Sequence, residues 1–385
     1  MKVTHFNLLN TGGAYTAACR IVEGQKQNGI EATLETYHDM NLFERFGSRI
    51  KSKLDYELNS SIIPPITISY FSSLSRIHAD NLLNLHWVPG PLPRILGRLN
   101  DVPAVVWTLH DTNPFTAICH NPMSCSGFAN VCNSCPQKGF LPNALVRNKL
   151  RTKRNSATRR GNLQVVAPSR WIAALASESY VFESVPISVI PNAVPLDVFS
   201  PTDRNLCRKE LGVDDFFVVG FLSPKFGSAK GGKRAKDIFK KFATKHSHKV
   251  KGIEIGAEND EESPEVIKVF PRSDEEMSKV LKSCDALIYT SLADNLPNLL
   301  LEAQACGTPL VSVDIGGTTE CFVENSSGFV FRENLEAVKK LEDLLLHPDF
   351  QLGVSKKART FAIENFDPQD IAKKYEQVYS QALRS

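Results

Sequence analysis

The chain has 385 residues, more than one hydrophobic core usually covers, so two domains are expected. With 42% hydrophobic and 23% charged residues it is neither disordered nor fibrous, and 45 Lys and Arg against 42 Asp and Glu argue against a dedicated nucleic-acid partner. No apolar run reaches the roughly 18 residues of a membrane span and no basic-then-apolar leader opens the chain, which points to a cytoplasmic protein.

Short apolar runs alternate with longer helical patterns, as in parallel α/β sheets. Strands are expected at residues 3–9, 82–86, 104–109 and 163–168 in the first half, and at 216–222, 250–255, 286–289 and 310–313 in the second. Each set can build one sheet. Between them a strand beginning at Ile187 runs into a stretch carrying Pro191, Pro195 and Pro201. Proline disfavours helix on its N-terminal side, so the domain boundary is placed near Pro195.

A glycine turn, Asn10-Thr11-Gly12-Gly13-Ala14-Tyr15, follows the opening strand. The G-x-G-x-x-G pattern is absent and no acidic residue closes a second strand at the dinucleotide spacing, so close approach of this loop to a substrate is expected rather than NAD binding. His86 and His110 end two apolar strands. A lone histidine is usually structural, but His110, beside Asp111 at a strand's carboxyl end, stands where parallel sheets contact ligands.

Cys119, Cys125, Cys132 and Cys135 lie within seventeen residues, spaced C-x5-C-x6-C-x2-C. Four thiolates so close can surround a tetrahedral zinc ion, and reduced buried thiols are the alternative. A disulfide framework suits neither a reducing compartment nor the odd total of nine cysteines. Seven cations then fall within residues 147–160. They form either a solvated helix face or a patch drawn to anionic lipid headgroups at about 1 kcal/mol per residue.

In the second half, Ser223-Pro224-Lys225-Phe226-Gly227-Ser228-Ala229-Lys230-Gly231-Gly232 follows a strand. Lys225 and Lys230 at a strand's carboxyl end can hold a diphosphate; a flexible basic surface loop is the other reading. Residues 294–309 carry the sharpest signal, with Pro297 suited to a first helical turn and Gly307 to a C-terminal cap, bracketing a helix of about ten residues. Asp294 falls in the loop before it. Glu302 falls inside it among Leu and Ala, either on an exposed stripe or buried with partners such as a ribose diol or backbone N–H groups. After the strand at 310–313, the pair Gly316-Gly317 is either a plain turn or a place where backbone approaches phosphate.

Taken together these residues resemble the family 4 retaining glycosyltransferases of GT-B fold, particularly bacterial members that assemble cell-surface polysaccharides, and the match runs nearly end to end. Asp294 through Glu302 fits the family's acid-x7-Glu element, with Asp where Glu is commoner, and Gly307-Thr308-Pro309 continues it. Gly316-Gly317 with Glu320 fits the loop that follows that element, and Lys230-Gly231 fits the basic diphosphate element. Val166-Ala167-Pro168-Ser169-Arg170-Trp171 and Val189-Ile190-Pro191-Asn192-Ala193-Val194 fit two further signatures. Gly12-Gly13-Ala14 and Thr108-Leu109-His110-Asp111 fit the acceptor-side loops, and the cysteine cluster is similar to that of one subgroup.

The resemblance implies an α/β GT-B protein, two Rossmann-like domains with parallel sheets facing across a cleft. Residues 1–195 would bind acceptor and 196–369 the nucleotide-sugar donor, with a helix at about 370–385 packing back on the first domain. It implies donor contacts from Lys225, Lys230, Asn295, Leu296, Glu302, Gly316 and Gly317, acceptor contacts from Gly12, Gly13 and His110, and catalytic roles for His110, Asp294 and Lys230. No catalytic metal is expected, only a structural zinc on Cys119, Cys125, Cys132 and Cys135. The acceptor would be a saccharide or a polyprenyl-diphosphate-linked saccharide, reached by peripheral contact with the anionic inner membrane face. Two other readings compete. A sugar-nucleotide epimerase on the same scaffold would release epimerised donor without acceptor, and a non-catalytic zinc-stabilised interaction protein would bind no donor.

Overall fold

The protein is described by a computed structural model over residues 1–36, 81–88, 102–226, 228–257 and 264–385. It divides into two compact units, one of Met1–Ala193 with Pro368–Ser385, the other of Val194–Asp367.

Unit 1 runs β1 (Lys2–Asn7), α1 (Gly13–Gln27), β2 (Glu31–Thr36), β3 (Leu82–Leu85), β4 (Val105–Thr108), α2 (Asn143–Arg159), β5 (Leu163–Ala167), α3 (Arg170–Ser177) and β6 (Ile187–Val189). Its six strands form one parallel sheet in the order β2-β1-β3-β4-β5-β6. Both faces are covered: Val105 and Trp107 point into one core cluster, Ala104 and Val106 into the other. That is why these strands read as unbroken apolar runs rather than as alternation. Helix α3 starts where Ser169 Oγ accepts the Ile172 N–H, satisfying a donor that the first turn leaves open.

Unit 2 runs α4 (Arg204–Glu210), β7 (Phe217–Leu222), α5 (Gly232–His246), β8 (Val250–Ile255), β9 (Val266–Val269), α6 (Asp274–Ser283), β10 (Ala286–Tyr289), α7 (Asn298–Ala305), β11 (Leu310–Ser312), β12 (Gly328–Val330), α8 (Asn334–Leu346) and α9 (Pro348–Phe366). Its parallel sheet has the order β12-β11-β10-β7-β8-β9. The last helix, α10 (Pro368–Ala382), belongs to unit 1, where Ile371, Tyr375, Val378 and Tyr379 join the cluster of Val3, Ile21 and Val106. It lies so close to α1 that a Cβ on Gly24 would stand 2.4 Å from the Pro368 carbonyl oxygen.

All eight strands expected from the two halves form, with ends moved by one or two residues. Three were not expected: β2, β9 and β12 are edge strands, half-exposed or only three residues long. Pro297 stands just before α7 rather than within its first turn, and α7 has eight residues. Among the described residues no helix is long and apolar enough to cross a membrane.

Candidate functional site

In a doubly wound parallel sheet, ligands bind outside the carboxyl ends of the strands where the strand order reverses. In unit 2 that point lies between β7 and β10, since β8 and β9 continue to one side and β11 and β12 to the other. The loops that leave β7 and β10 there hold the candidate residues.

The β7 loop is braced from β8. Ser223 Oγ donates to Glu254 Oε1 at 2.8 Å and Lys236 Nζ to Oε2 at 2.9 Å. Burial pushes the Glu254 carboxyl up, but the hydrogen bonds from Lys236 and Ser223 outweigh it and hold it below the ordinary range. The Lys225 N–H donates to Ser223 Oγ, and the residue is exposed. Lys230 ends the next short turn, and Gly231 follows at φ 69°, where a Cβ would lie 1.8 Å from the Thr290 carbonyl oxygen. Only glycine lets the two loops touch. Thr290 Oγ1 donates to the Gly231 carbonyl at 2.8 Å and the Leu292 N–H to the Ala229 carbonyl at 2.8 Å, completing the seam.

Across this seam Lys230 Nζ donates to Asp294 Oδ2 at 2.6 Å. The Tyr289 hydroxyl donates to the same oxygen. Burial, then the Asp294 charge, raises that phenol well above its usual pKa. Asp294 Oδ1 accepts the Asn295 N–H at 3.2 Å. The third loop arrives from β11. Gly316, at φ 63°, has room for no Cβ, which would stand 1.8 Å from the Asp294 carbonyl oxygen. The Gly317 N–H points to that oxygen at 3.4 Å. Three loops, two glycines at positive φ and one ion pair are thus gathered at the switch point.

Leu296 packs its side chain into the core, so only its backbone is available to a ligand. Glu302 is 6% exposed in a helix buried from Leu300 to Ala305. The exposed-stripe alternative for Glu302 is therefore wrong.

In unit 1 the order reverses between β1 and β3. Gly12, at φ 88°, precedes α1 and Gly13 begins it, both exposed at the end of β1. His86 follows β3 and His110 follows β4. Both belong to a row of rings: His110 Nε2 lies 2.9 Å from His86 Nδ1, His86 Nε2 lies 2.8 Å from His5 Nδ1, and His5 Nε2 lies 2.8 Å from Gln25 Oε1. Burial lowers His5 to about 4 against the Gln25 hydrogen bond, and lowers His110 to about 4 against the pull of Asp111. It lowers His86 well below the usual range, helped by its two histidine neighbours. All three rings are neutral at pH 7. Asp111 fixes the following loop: its Oδ2 accepts from Trp87 Nε1 at 2.7 Å and meets His120 Nδ1 at 2.5 Å, while Oδ1 accepts the Asn113 N–H at 2.9 Å.

His5 and Gln25 escaped the sequence reading. The available signal was a histidine inside an otherwise buried strand, facing a glutamine three turns into a buried helix stripe.

The expected zinc site is not established. Cys119, Cys125, Cys132 and Cys135 line one small cavity with Phe128 and Pro122, yet among the described residues no three His, Cys, Asp or Glu side chains are grouped to hold a metal ion. Three of the thiols sit in the apolar cluster of Phe115 and Phe128. Burial, then the neighbouring thiols, pushes Cys119 up to about 12, and burial also raises Cys132. The cations of residues 147–160 do not form one exposed face either. Lys153 is buried, donating to the carbonyls of Asn113 at 2.6 Å and Thr116 at 2.8 Å. Arg154 pairs with Glu183 at 2.8 Å and stacks on Tyr180, and Arg160 donates to the Val102 carbonyl.

Residues 225–362 match the protein family described as Glycosyl transferases group 1. The chain is 28% identical over 200 residues to the D-inositol 3-phosphate glycosyltransferase of Stackebrandtia nassauensis, a match covering 45% of each chain. It is 34% identical over 91 residues to the Vi polysaccharide biosynthesis protein VipC/TviE of Salmonella typhi, covering 22% of this chain and 16% of that one. The chain thus spans less than half the length of these curated relatives. In fold it is similar to Anabaena HepE, solved in complex with UDP-glucose, with a TM-score of 0.66 at 17% identity over 99% of this chain and 100% of that one. That likeness is one of fold, and the fold is GT-B.

Proposed function

We propose, from the group 1 glycosyl transferase domain at residues 225–362, that the chain is a retaining glycosyltransferase taking its sugar from a nucleotide-sugar donor held by unit 2. The observation that carries this reading is the Lys230–Asp294 pair at the switch point, set between Gly231 and Gly316. A cation and a carboxylate side by side match the two halves of a sugar diphosphate: Lys230, with Lys225, takes the diphosphate, while Asp294 and the backbone of Asn295 and Leu296 take sugar hydroxyls. Gly316 and Gly317 bring backbone to the phosphates and Glu302 takes the ribose diol. Gly12, Gly13 and His110 of unit 1 serve the acceptor and the reacting sugar.

In the reaction the bond from the anomeric carbon to the diphosphate oxygen breaks and the bond to the acceptor oxygen forms on the same face. The acceptor's proton passes to the departing diphosphate. No enzymic nucleophile is required, and the work of the site is to neutralise charge developing on the leaving group. The relative named for Vi polysaccharide biosynthesis supports a surface-polysaccharide acceptor, free or carried on polyprenyl diphosphate. The exposed Arg151 and Arg159 support peripheral contact with anionic lipid.

Thermal shift with UDP-, GDP-, ADP- and TDP-sugars tests donor binding, since a ligand at 100 times its dissociation constant stabilises by about 2.7 kcal/mol. One nucleotide series is expected to shift the transition. No shift with any of them, together with no sugar transfer, would overturn the reading.

A further inference from the structure

We propose that His120 is an acceptor-binding residue of unit 1, its Nε2 forming a hydrogen bond with a hydroxyl of a saccharide acceptor. The proposal rests on the reading that unit 1 receives the acceptor, and it adds to Gly12, Gly13 and His110 a contact from the loop after β4.

The residues around His120 meet at the carboxyl ends of β1, β3 and β4, where the strand order of unit 1 reverses. Trp87, just past β3, is tied to the end of β1: its N–H donates to Asn7 Oδ1 at 2.8 Å and its carbonyl accepts the Leu8 N–H at 3.0 Å. Asp111, just past β4, accepts the Trp87 indole N–H on Oδ2. His120 Nδ1 meets that same oxygen at 2.5 Å, and its ring stacks on the Trp87 ring with centroids 5.8 Å apart and planes 30° apart.

The intervening chain delivers His120 to this place. Every residue from Thr112 to Cys119 is buried, whereas the His120 side chain is 46% exposed. The loop closes on itself. The Thr112 N–H donates to the His120 carbonyl at 3.2 Å, the Thr112 and Thr116 hydroxyls both donate to the Cys119 carbonyl, and Asn113 Nδ2 donates to the Ile118 carbonyl. Lys153 Nζ holds the carbonyls of Asn113 and Thr116 from α2. A loop closed in this way fixes where the exposed imidazole stands, so a ligand that meets it has little disorder to remove.

The pairing also decides which ring atom is offered. A carboxylate only accepts, so Nδ1 directs its hydrogen to Asp111 and Nε2 is left over. Among the described residues Nε2 makes no hydrogen bond. It is bare in the neutral ring and carries a hydrogen in the charged one. A sugar hydroxyl both donates and accepts, so it matches Nε2 in either form, which a carboxylate or an ammonium group does not. Holding the loop to Asp111 requires Nδ1 alone. The second nitrogen, open at the ligand-binding end of the sheet, is what that structural role leaves unused.

Two substitutions separate the nitrogens. His120→Asn keeps an amide donor for Asp111 and places nothing at Nε2, whereas His120→Gln reaches the Nε2 position and gives up the Asp111 contact. The probes are para-nitrophenyl glycosides of hexoses, N-acetylhexosamines and uronic acids, used with the full chain. Diethyl pyrocarbonate, which acylates exposed imidazole nitrogens, is expected to mark His120 when the products are mapped by mass spectrometry, and at least one glycoside is expected to slow that marking. By isothermal titration, affinity for the protecting glycoside is expected to fall about tenfold in His120→Asn, the weight of one hydrogen bond, and to stay closer to the unaltered value in His120→Gln. The reverse order, with His120→Asn binding normally and His120→Gln impaired, would show that His120 serves only to hold the loop, and overturns the proposal. So does a panel in which no glycoside protects His120. The transferase reading fails separately: no thermal shift with any nucleotide-sugar and no sugar transfer, with His120 still protected by a glycoside, overturns that reading and leaves a saccharide site at His120.

Discussion

Lys230 illustrates how little a functional side chain has to contribute to the fold. Its side chain is 42% exposed, and an ion pair so placed contributes only about 0–1 kcal/mol to stability. Against a diphosphate the same ammonium makes charge-assisted hydrogen bonds of about 1.5–3 kcal/mol. Lys230→Ala is therefore expected to fold normally while using donor some ten- to a hundredfold less well, measured by kinetics at saturating acceptor. Unaltered kcat and donor KM would remove Lys230 from the site. Gly316→Ala tests the same place without touching a charge. The new Cβ must push the Asp294 carbonyl aside and the backbone must hold a left-handed conformation that alanine resists. Loss of donor use with Lys230 and Asp294 both present is the expected result, and full activity would mean that the contact between these loops does not matter.

Helix α2 shows why a run of cations is hard to read at the level of an element. The spacing of Arg147 through Arg160 suits a solvated face, yet Lys153 turns inward to two carbonyls of the loop that begins the cysteine cluster. Burial lowers its pKa to about 7, an effect that Asp111 only partly opposes. The unfolded chain holds that proton until about pH 10.4, so between pH 7 and 10 the unfolded state binds more protons and this group's contribution to stability rises with pH. Denaturation of the unaltered chain and of Lys153→Met at pH 7 and pH 9 should show the difference between them moving in favour of the unaltered chain at the higher pH. A difference that does not change between the two pH values would mean that Lys153 keeps its charge in the folded chain. Arg151 and Arg159, which do face outward, are the pair to replace by Gln in a vesicle-binding test at low salt, where weaker binding to anionic but not neutral vesicles is expected. What the sequence made legible was what depends on local pattern: the apolar strands, and the glycines and charges of the loops after β7, β10 and β11. It did not disclose the edge strands β2, β9 and β12, which are half-exposed or only three residues long. Nor did it disclose the inward turn of Lys153 or the pairing of His5 with Gln25, because those depend on which distant residues share a buried space.

At the scale of the whole chain, the three tryptophans, Trp87, Trp107 and Trp171, all belong to unit 1, so their fluorescence reports on that unit alone. His5 and His110, held neutral by burial down to about pH 4, cost stability as acid is added, because the unfolded chain begins to take up protons near pH 6.5. The denaturant midpoint seen by tryptophan is accordingly expected to fall from pH 7 to pH 5, and a midpoint that stays level would mean that these rings are not buried as described. The placement of α10 has a further consequence, for synthesis. Domains generally fold as units, those nearest the N-terminus first, as the chain leaves the ribosome. Unit 1 departs from that order, since Tyr375 and Tyr379, which close its polar core around Gln25, Asn84 and Thr108, are made only after the whole of Val194–Asp367. During translation the first unit begun is the second one finished, and a nascent chain halted before Pro368 would carry a complete unit 2 beside a sheet whose buried amides still lack their tyrosines.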